Sequence, residues 1–415
     1  MMAFMKKIFL ILILIYFIPV TLLFAQSKVK VGADVLLEEK LELIKGKKLG
    51  IVTNHTAVLA DGTHLVDALH KIDGVQIVAL YGPEHGIRGS APAGEKITDE
   101  VDAKTQIPVF SLYGQTRKPT AQMLKDVDVL IFDIQDVGAR FYTYISTLFY
   151  IVEAGAENNI PVLVLDRPNP INGNYVDGPI REKELMSFVG IAQIPITHGM
   201  TIGELARYFL GEKLVKKAEN AKLQVIEMKN WQREYFFDDC GLEWMKPSPN
   251  IPDLKTALVY PGTCLIEGVN VSEGRGTLHP FLTIGAPYII STELIEELNN
   301  LKVKGVSLTP VTFTPVDIEE MATNPKHKGK ECYGITITVT DKNELESVKF
   351  GIQLVYALNK LYKGFEFKDN SFERLSGSKK LLKQLKEGVR PEEIFNGWAD
   401  ELSEFQKIRE KYLIY

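Results

Sequence analysis

Between residues 30 and 229 the chain alternates short, uninterrupted apolar runs with stretches whose apolar residues recur at helical spacing. Residues 49–53, 75–80, 108–112, 127–132 and 161–165 are apolar runs of strand length bounded by turn-forming residues. Between them, 64–72 places Leu65, Ala68, Leu69 and Ile72 on one helical face, 120–125 offers a short helix, and 143–158 a long apolar one. Such alternation predicts an α/β fold, a Rossmann-like and mostly parallel sheet covered on both faces, over residues 30–250. Thr201 with Glu204 three residues on forms a capping-box pattern for a helix reaching Leu210, and 223–228 reads as one more strand.

Beyond residue 250 the pattern loosens. Residues 246–280 are dense in Pro and Gly yet carry several charges, which predicts a long shaped loop forming the second wall of a cleft. Residues 311–313 and 334–340 predict strands, and 292–299, 347–361, 378–386 and 391–412 predict helices. Residues 251–415 therefore read as a smaller α+β domain that closes the cleft.

The first 25 residues stand apart. Lys6 and Lys7 precede an uncharged apolar run from 8 to 24, with Ala25 as a small residue before Gln26. This is the pattern of an export signal, and its length approaches the ~20 residues that would let it stay as an anchor. Either way the bulk of the protein is expected outside the cytoplasm, periplasmic or secreted. Over the whole 415 residues, 45% hydrophobic and 24% charged residues describe an ordinary globular chain with room for two or three domains. A net charge of -5 gives no electrostatic case for a nucleic-acid partner. Cys240, Cys264 and Cys332 are too few and too scattered for a disulfide framework or a zinc knuckle, although one bridge stays open. The seven histidines form no HExxH or other ligand cluster, so neither a metal nor a cofactor is expected. Sequons at Asn54 and Asn270 fall in loops that read as site-forming, not as glycan acceptors.

The candidate chemistry follows the predicted strands. Immediately after them come NHT at 54–56, YGPEHGIRG at 81–89, YGQTRKP at 113–119, DIQDVGAR at 133–140 and DRPNP at 166–170. In an open parallel sheet, ligands bind outside the carboxyl ends of the strands. In YGPEHGIRG the glycines and Pro83 make a shaped loop in which Glu84 can give or take a proton, with His85 and Arg88 beside it. Asp133 and Asp136 flank Gln135; either could share a pocket with Glu84, or cap the following helix. Arg140 and Arg167 could clamp an anionic group, or neutralise Asp136 and Asp166. Tyr113 and Tyr142 could stack on a sugar ring or wall the core, while Tyr144 reads as core. Asn54, His55, Asp166 and Asn169 complete this rim, and Glu267, Asn270, Glu273 and Arg275 face it from the long loop. Nucleotide motifs fail: in GSAPAGEK, residues 89–96, Glu95 separates glycine from lysine, and the first strand-to-helix turn has no GxGxxG. A GxSxG elbow is missing as well, which disfavours a serine α/β-hydrolase.

The strings VTNHTAV, YGPEHGIRGSA, SLYG, RKPT, FDIQDVGARFYTYISTL, LDRPNPI, PSPNIP, ALVYPGTCLIEGVNVSEGRGT and KYLIY together resemble the exo-β-N-acetylmuramidase family of peptidoglycan-recycling enzymes, long known only as a family of unknown function. The resemblance covers nearly the whole chain after the leader. It implies a Rossmann-like catalytic domain with a smaller C-terminal domain, and an enzyme that releases N-acetylmuramic acid from the non-reducing ends of cell-wall saccharides. The acidic residue of the family's GPEHG string corresponds to Glu84; where family strings carry Thr-Arg after the glycine-rich loop, this chain has Leu278-His279.

Glycoside hydrolysis asks for an acid to protonate the leaving oxygen and a second group to handle the oxocarbenium-like carbon. Glu84 suits the first role; Asp133, Asp136 or the substrate's own acetamido oxygen suits the second. Arg88, Arg140 or Arg275 could pair with the lactyl carboxylate that distinguishes muramic acid from glucosamine. Two other classes stay open on the sequence: an exported binding protein that captures muropeptides without cutting them, and a metal-dependent amidase.

Overall fold

The computed structural model describes residues 28–84, 86–88, 100–114 and 116–415. The leader, His85 and the 89–96 string lie outside them. In chain order the elements are α1 (Gly32–Glu39), β1 (Lys48–Thr53), α2 (Leu65–Leu69), β2 (Gln76–Gly82), β3 (Glu100–Val101), β4 (Pro108–Ser111), β5 (Val129–Asp133), α3 (Tyr144–Asn158), β6 (Val162–Leu165), β7 (Val176–Asp177), β8 (Thr197–His198), α4 (Ile202–Gly211) and β9 (Leu223–Ile226). The second half adds α5 (Leu254–Thr263), β10 (Thr283–Ala286), α6 (Ser291–Asn300), β11 (Val306–Phe313), β12 (Cys332–Val339), α7 (Ser347–Leu361), α8 (Asp369–Ser376), α9 (Lys379–Lys386), α10 (Pro391–Asn396) and α11 (Ala399–Glu410).

Among the described residues the first half builds a sheet ordered β3-β4-β2-β1-β5-β6-β9, parallel except for the antiparallel edge pair β3–β4. The expected α/β layer is present, and its apolar strands are the ones a doubly covered sheet requires. Adjacent residues point to opposite faces. Ile51 packs with α1 and α2, whereas Val52 joins the core under α3 and α4. Strand order reverses between β1 and β5, so Asn54 and Ile134 begin the two loops that diverge at the switch point.

The second half is a three-stranded antiparallel sheet, β10-β12-β11, with helices packed on it. The apolar core beneath α3 continues without a break into this half, through Tyr260, Phe281, Ile335, Phe350 and Phe405. A shared core of this kind fixes one half against the other.

Three sequence expectations change. Residues 246–280 are not all loop: Asp253 accepts from Thr256 N–H at 2.8 Å and caps α5, and a 3-10 turn follows over Cys264–Gly268. The Pro-Gly pair inside α5 serves packing, because a Cβ on Gly262 would stand 1.8 Å from the Ser347 carbonyl oxygen of α7. Residues 391–412 form two helices broken at Gly397 and buried Trp398. Residues 121–126 make turns; so short a stretch closes too few bonds to offset helix nucleation. The three cysteines are buried and free. No described helix is long and apolar enough to cross a membrane.

Candidate active site

Glu84 follows β2 on a tight turn in which Gly86 N–H donates to the Pro83 carbonyl at 3.0 Å, with Gly86 at φ 71. The turn delivers Glu84 into a cleft of about 190 Å³ between the two halves. From the first half come Tyr113 after β4, Phe141, Tyr142 and Thr143 ahead of α3, Tyr144 at its start, and Asn250; from the second come Tyr260, Glu267, Arg275, Phe281 and Arg374. Thr143 Oγ1 donates to Glu84 Oε2 at 3.3 Å. Burial, and then the Glu84 carboxylate beside it, push the Tyr113 hydroxyl up to about 12. One wall is aromatic: Tyr260 meets Phe141, Tyr142 and Phe281 edge-on, with centroids 5.4, 6.0 and 4.9 Å apart. Such a surface suits the apolar face of a sugar ring.

Glu84 and Glu267 are the carboxylates lining this cleft among the described residues. Arg275 orients Glu267, donating to its Oε1 from Nε at 3.1 Å and from Nη2 at 2.8 Å. Burial works against the Arg275 charge, but Glu267 and Glu273 outweigh it and hold the guanidinium above its ordinary pKa. Glu273 is itself buried and paired with Lys326 at 3.0 Å, so it backs the site without lining it. Asn250 Nδ2 donates to the Met321 carbonyl at 2.7 Å, while its buried Oδ1 has no protein partner among the described residues.

Several candidates are built into the fold instead. Arg167, reaching from β6, takes both oxygens of Asp133 at 2.5 and 2.9 Å and also donates to the Val58 carbonyl. This pair occupies the switch point, and Asp133 does not line the cleft at Glu84. Asp136 is buried with Oδ2 on Gly138 N–H at 2.7 Å; burial raises its pKa to about 7, and it too is absent from the cleft lining. Arg140 is 1% exposed and donates to four backbone carbonyls, Pro179, Ile194, Leu375 and Ser376. It staples the halves together and cannot reach a ligand. Arg88 is paired with Asp102 at 2.9 Å and Asp67 at 3.1 Å. Asp166 accepts from Gly203 N–H, Thr201 and Tyr415, and Asn169 bridges Ile171 N–H and the Met200 carbonyl. Asn270 braces its own half through Tyr288, Gly364 and Glu366.

Asn54 turns its Oδ1 back to Thr56, and His55 contacts the Lys246 carbonyl at 2.7 Å; neither lines the Glu84 cleft. Gln135 sits with Arg167 in a separate crevice of about 200 Å³ beyond the carboxyl ends of β1, β5 and β6. Thr143, Asn250, Tyr260 and Phe281 are among the cleft residues that strand ends alone did not point to; the first three lie inside strings carrying the family resemblance. Arg374 carried no signal. No group of three or more His, Cys, Asp or Glu able to hold a metal ion occurs among the described residues.

Comparison with known proteins covers most of the chain. Residues 49–255 match the family model described as exo-beta-N-acetylmuramidase NamZ, N-terminal, and residues 258–415 match its C-terminal counterpart. The peptidoglycan beta-N-acetylmuramidase NamZ of Bacillus subtilis is 47% identical over 392 residues, which are 94% of this chain and 92% of that protein. Crystal structures of two DUF1343-family proteins from Bacteroides fragilis superpose with TM-scores of 0.86 and 0.76, each 34% identical and covering 94% of this chain and 99% of the other. With both halves matched in order and a relative this similar across nearly its whole length, the chain belongs to the NamZ family of exo-β-N-acetylmuramidases.

Proposed function

We propose that this protein is an exo-acting β-N-acetylmuramidase that hydrolyses terminal non-reducing N-acetylmuramic acid from peptidoglycan fragments, with Glu84 as the acid. The observation that carries the reading is the pairing of Glu84 and Glu267, one from each half, in a single aromatic-walled cleft. Glu84 gives its proton to the glycosidic oxygen as the bond to the anomeric carbon breaks, so the leaving sugar departs as an alcohol. Water supplies the oxygen that the anomeric carbon takes up. Glu267, held by Arg275, is the carboxylate placed to support that carbon and to receive water's proton. Glu84 then serves as acid alone; were Glu267 to act as a nucleophile, Glu84 would be the acid/base of both steps. Asp133 is not available for that role, since Arg167 holds both of its oxygens. From the export pattern of residues 1–25 we infer that this chemistry takes place outside the cytoplasm; recovery of the protein only from the cytoplasmic fraction would remove that part of the reading.

The test is leaving-group dependence. Loss of a general acid costs roughly 10²–10⁴-fold where the leaving oxygen needs a proton. Glu84→Gln should therefore fail on a muramyl disaccharide but retain most of its activity on a dinitrophenyl β-muramide, whose leaving group departs unprotonated. Glu267→Gln should lose both. Equal losses on both substrates in Glu84→Gln would deny Glu84 the acid role, and muramide binding without any turnover in the wild type would favour a binding protein.

A further inference from the structure

The cleft contains a cation that the protein does not use itself. Among the arginines near the site, Arg88 is taken by Asp67 and Asp102, Arg140 is buried on carbonyls, and Arg275 lies between Glu267 and Glu273. Arg374 also lines the cleft, is exposed, and its guanidinium makes no ion pair or hydrogen bond with any described residue.

Its position is nevertheless fixed. Arg374 is in the last turn of α8, which ends at Gly377 in the left-handed conformation. Arg181 Nη1 donates to the Arg374 carbonyl at 2.8 Å, and Arg140 Nη2 donates to the next two carbonyls, Leu375 at 3.2 Å and Ser376 at 2.5 Å. Two arginines of the first half thus grip the backbone of this turn and hold Arg374 at the cleft lining.

Charge balance gives that guanidinium a purpose. The cleft is lined by two carboxylates, Glu84 and Glu267, and two guanidiniums, Arg275 and Arg374, and Arg275 is already committed to Glu267. Without Arg374 the lining would offer an anionic ligand no guanidinium beyond the one already paired with Glu267. A planar guanidinium with its donors unspent is suited to bidentate pairing with a carboxylate.

We propose that Arg374 selects muramyl over glucosaminyl substrates by pairing with the lactyl carboxylate, an assignment that rests on the muramidase reading above. Its test uses the full chain and three chromogenic glycosides: the β-N-acetylmuramide, the same compound with its lactyl group converted to the neutral N-methylamide, and the β-N-acetylglucosaminide. Wild type should prefer the first. In Arg374→Ala, kcat/KM on the muramide should fall roughly 10- to 100-fold, mostly through KM, the loss expected of one charge-assisted pair. Rates on the two neutral substrates should hold, and Arg374→Lys should recover part of the preference. A preference retained in Arg374→Ala, or a wild type that cleaves the N-methylamide as well as the acid, overturns the assignment. No turnover by wild type on any of the three sinks the muramidase reading, and this assignment with it.

Discussion

Replacing Arg140 with methionine separates a structural arginine from a ligand-binding one. Methionine keeps much of the apolar stem while removing every donor, so four backbone carbonyls lose their partner at 2.9, 2.7, 3.2 and 2.5 Å. The Ile194 carbonyl keeps a second donor, Arg181 N–H at 3.3 Å, which leaves Pro179, Leu375 and Ser376 as the exposed losses. At about 1–3 kcal/mol for each buried carbonyl left unsatisfied, those three amount to roughly 3–9 kcal/mol. Part of this is offset, because burial and the neighbouring Arg181 hold the Arg140 guanidinium far below its ordinary pKa, and removing a desolvated cation returns free energy. The net expectation is a destabilisation of about 3–6 kcal/mol, large for one substitution. Urea unfolding followed by tryptophan fluorescence reads it directly. Trp231 and Trp244 report on the first half and Trp398 on the second, so a loosened junction would also split the transition. An unfolding curve unchanged from wild type, combined with a raised KM for the muramide, would refute the structural assignment and return Arg140 to the ligand.

Two further outcomes follow from buried groups. Burial raises Asp136 to about 7, so between about pH 4 and 7 the folded protein holds a proton that the unfolded chain has released, and stability falls as pH rises through that window. Asp136→Asn should flatten this slope by about one proton, leaving the contribution of Asp166, which burial also raises to about 7; an unchanged slope would mean that Asp136 is ionised in the fold. The Tyr415 hydroxyl donates to Asp166 at 2.8 Å and accepts from Met228 N–H at 2.7 Å. Tyr415→Phe should cost about 1–3 kcal/mol in chemical denaturation, and a variant as stable as wild type would show that these bonds contribute nothing net.

The sheet was legible because a strand buried on both faces writes itself as an unbroken apolar run, and because loops at strand carboxyl ends are where such sheets place ligands. That rule pointed to Glu84, Tyr113 and Tyr142, which line the cleft. It had no means of assigning charges, since adjacency in sequence does not reveal which groups pair. Arg167 follows Asp166 directly, yet it reaches across to Asp133 on the neighbouring strand, and Asp166 is satisfied by Thr201, Gly203 and Tyr415. Arg140 stands at the end of the most conspicuous site-like string and spends its donors on four carbonyls, two of them more than two hundred residues away in sequence. Arg374 is the converse: it lies in an unremarked helix and gains its place only from those same long-range bonds. A ligand meets the charges left over once a protein has made its own pairs, and only the three-dimensional pairing identifies that remainder.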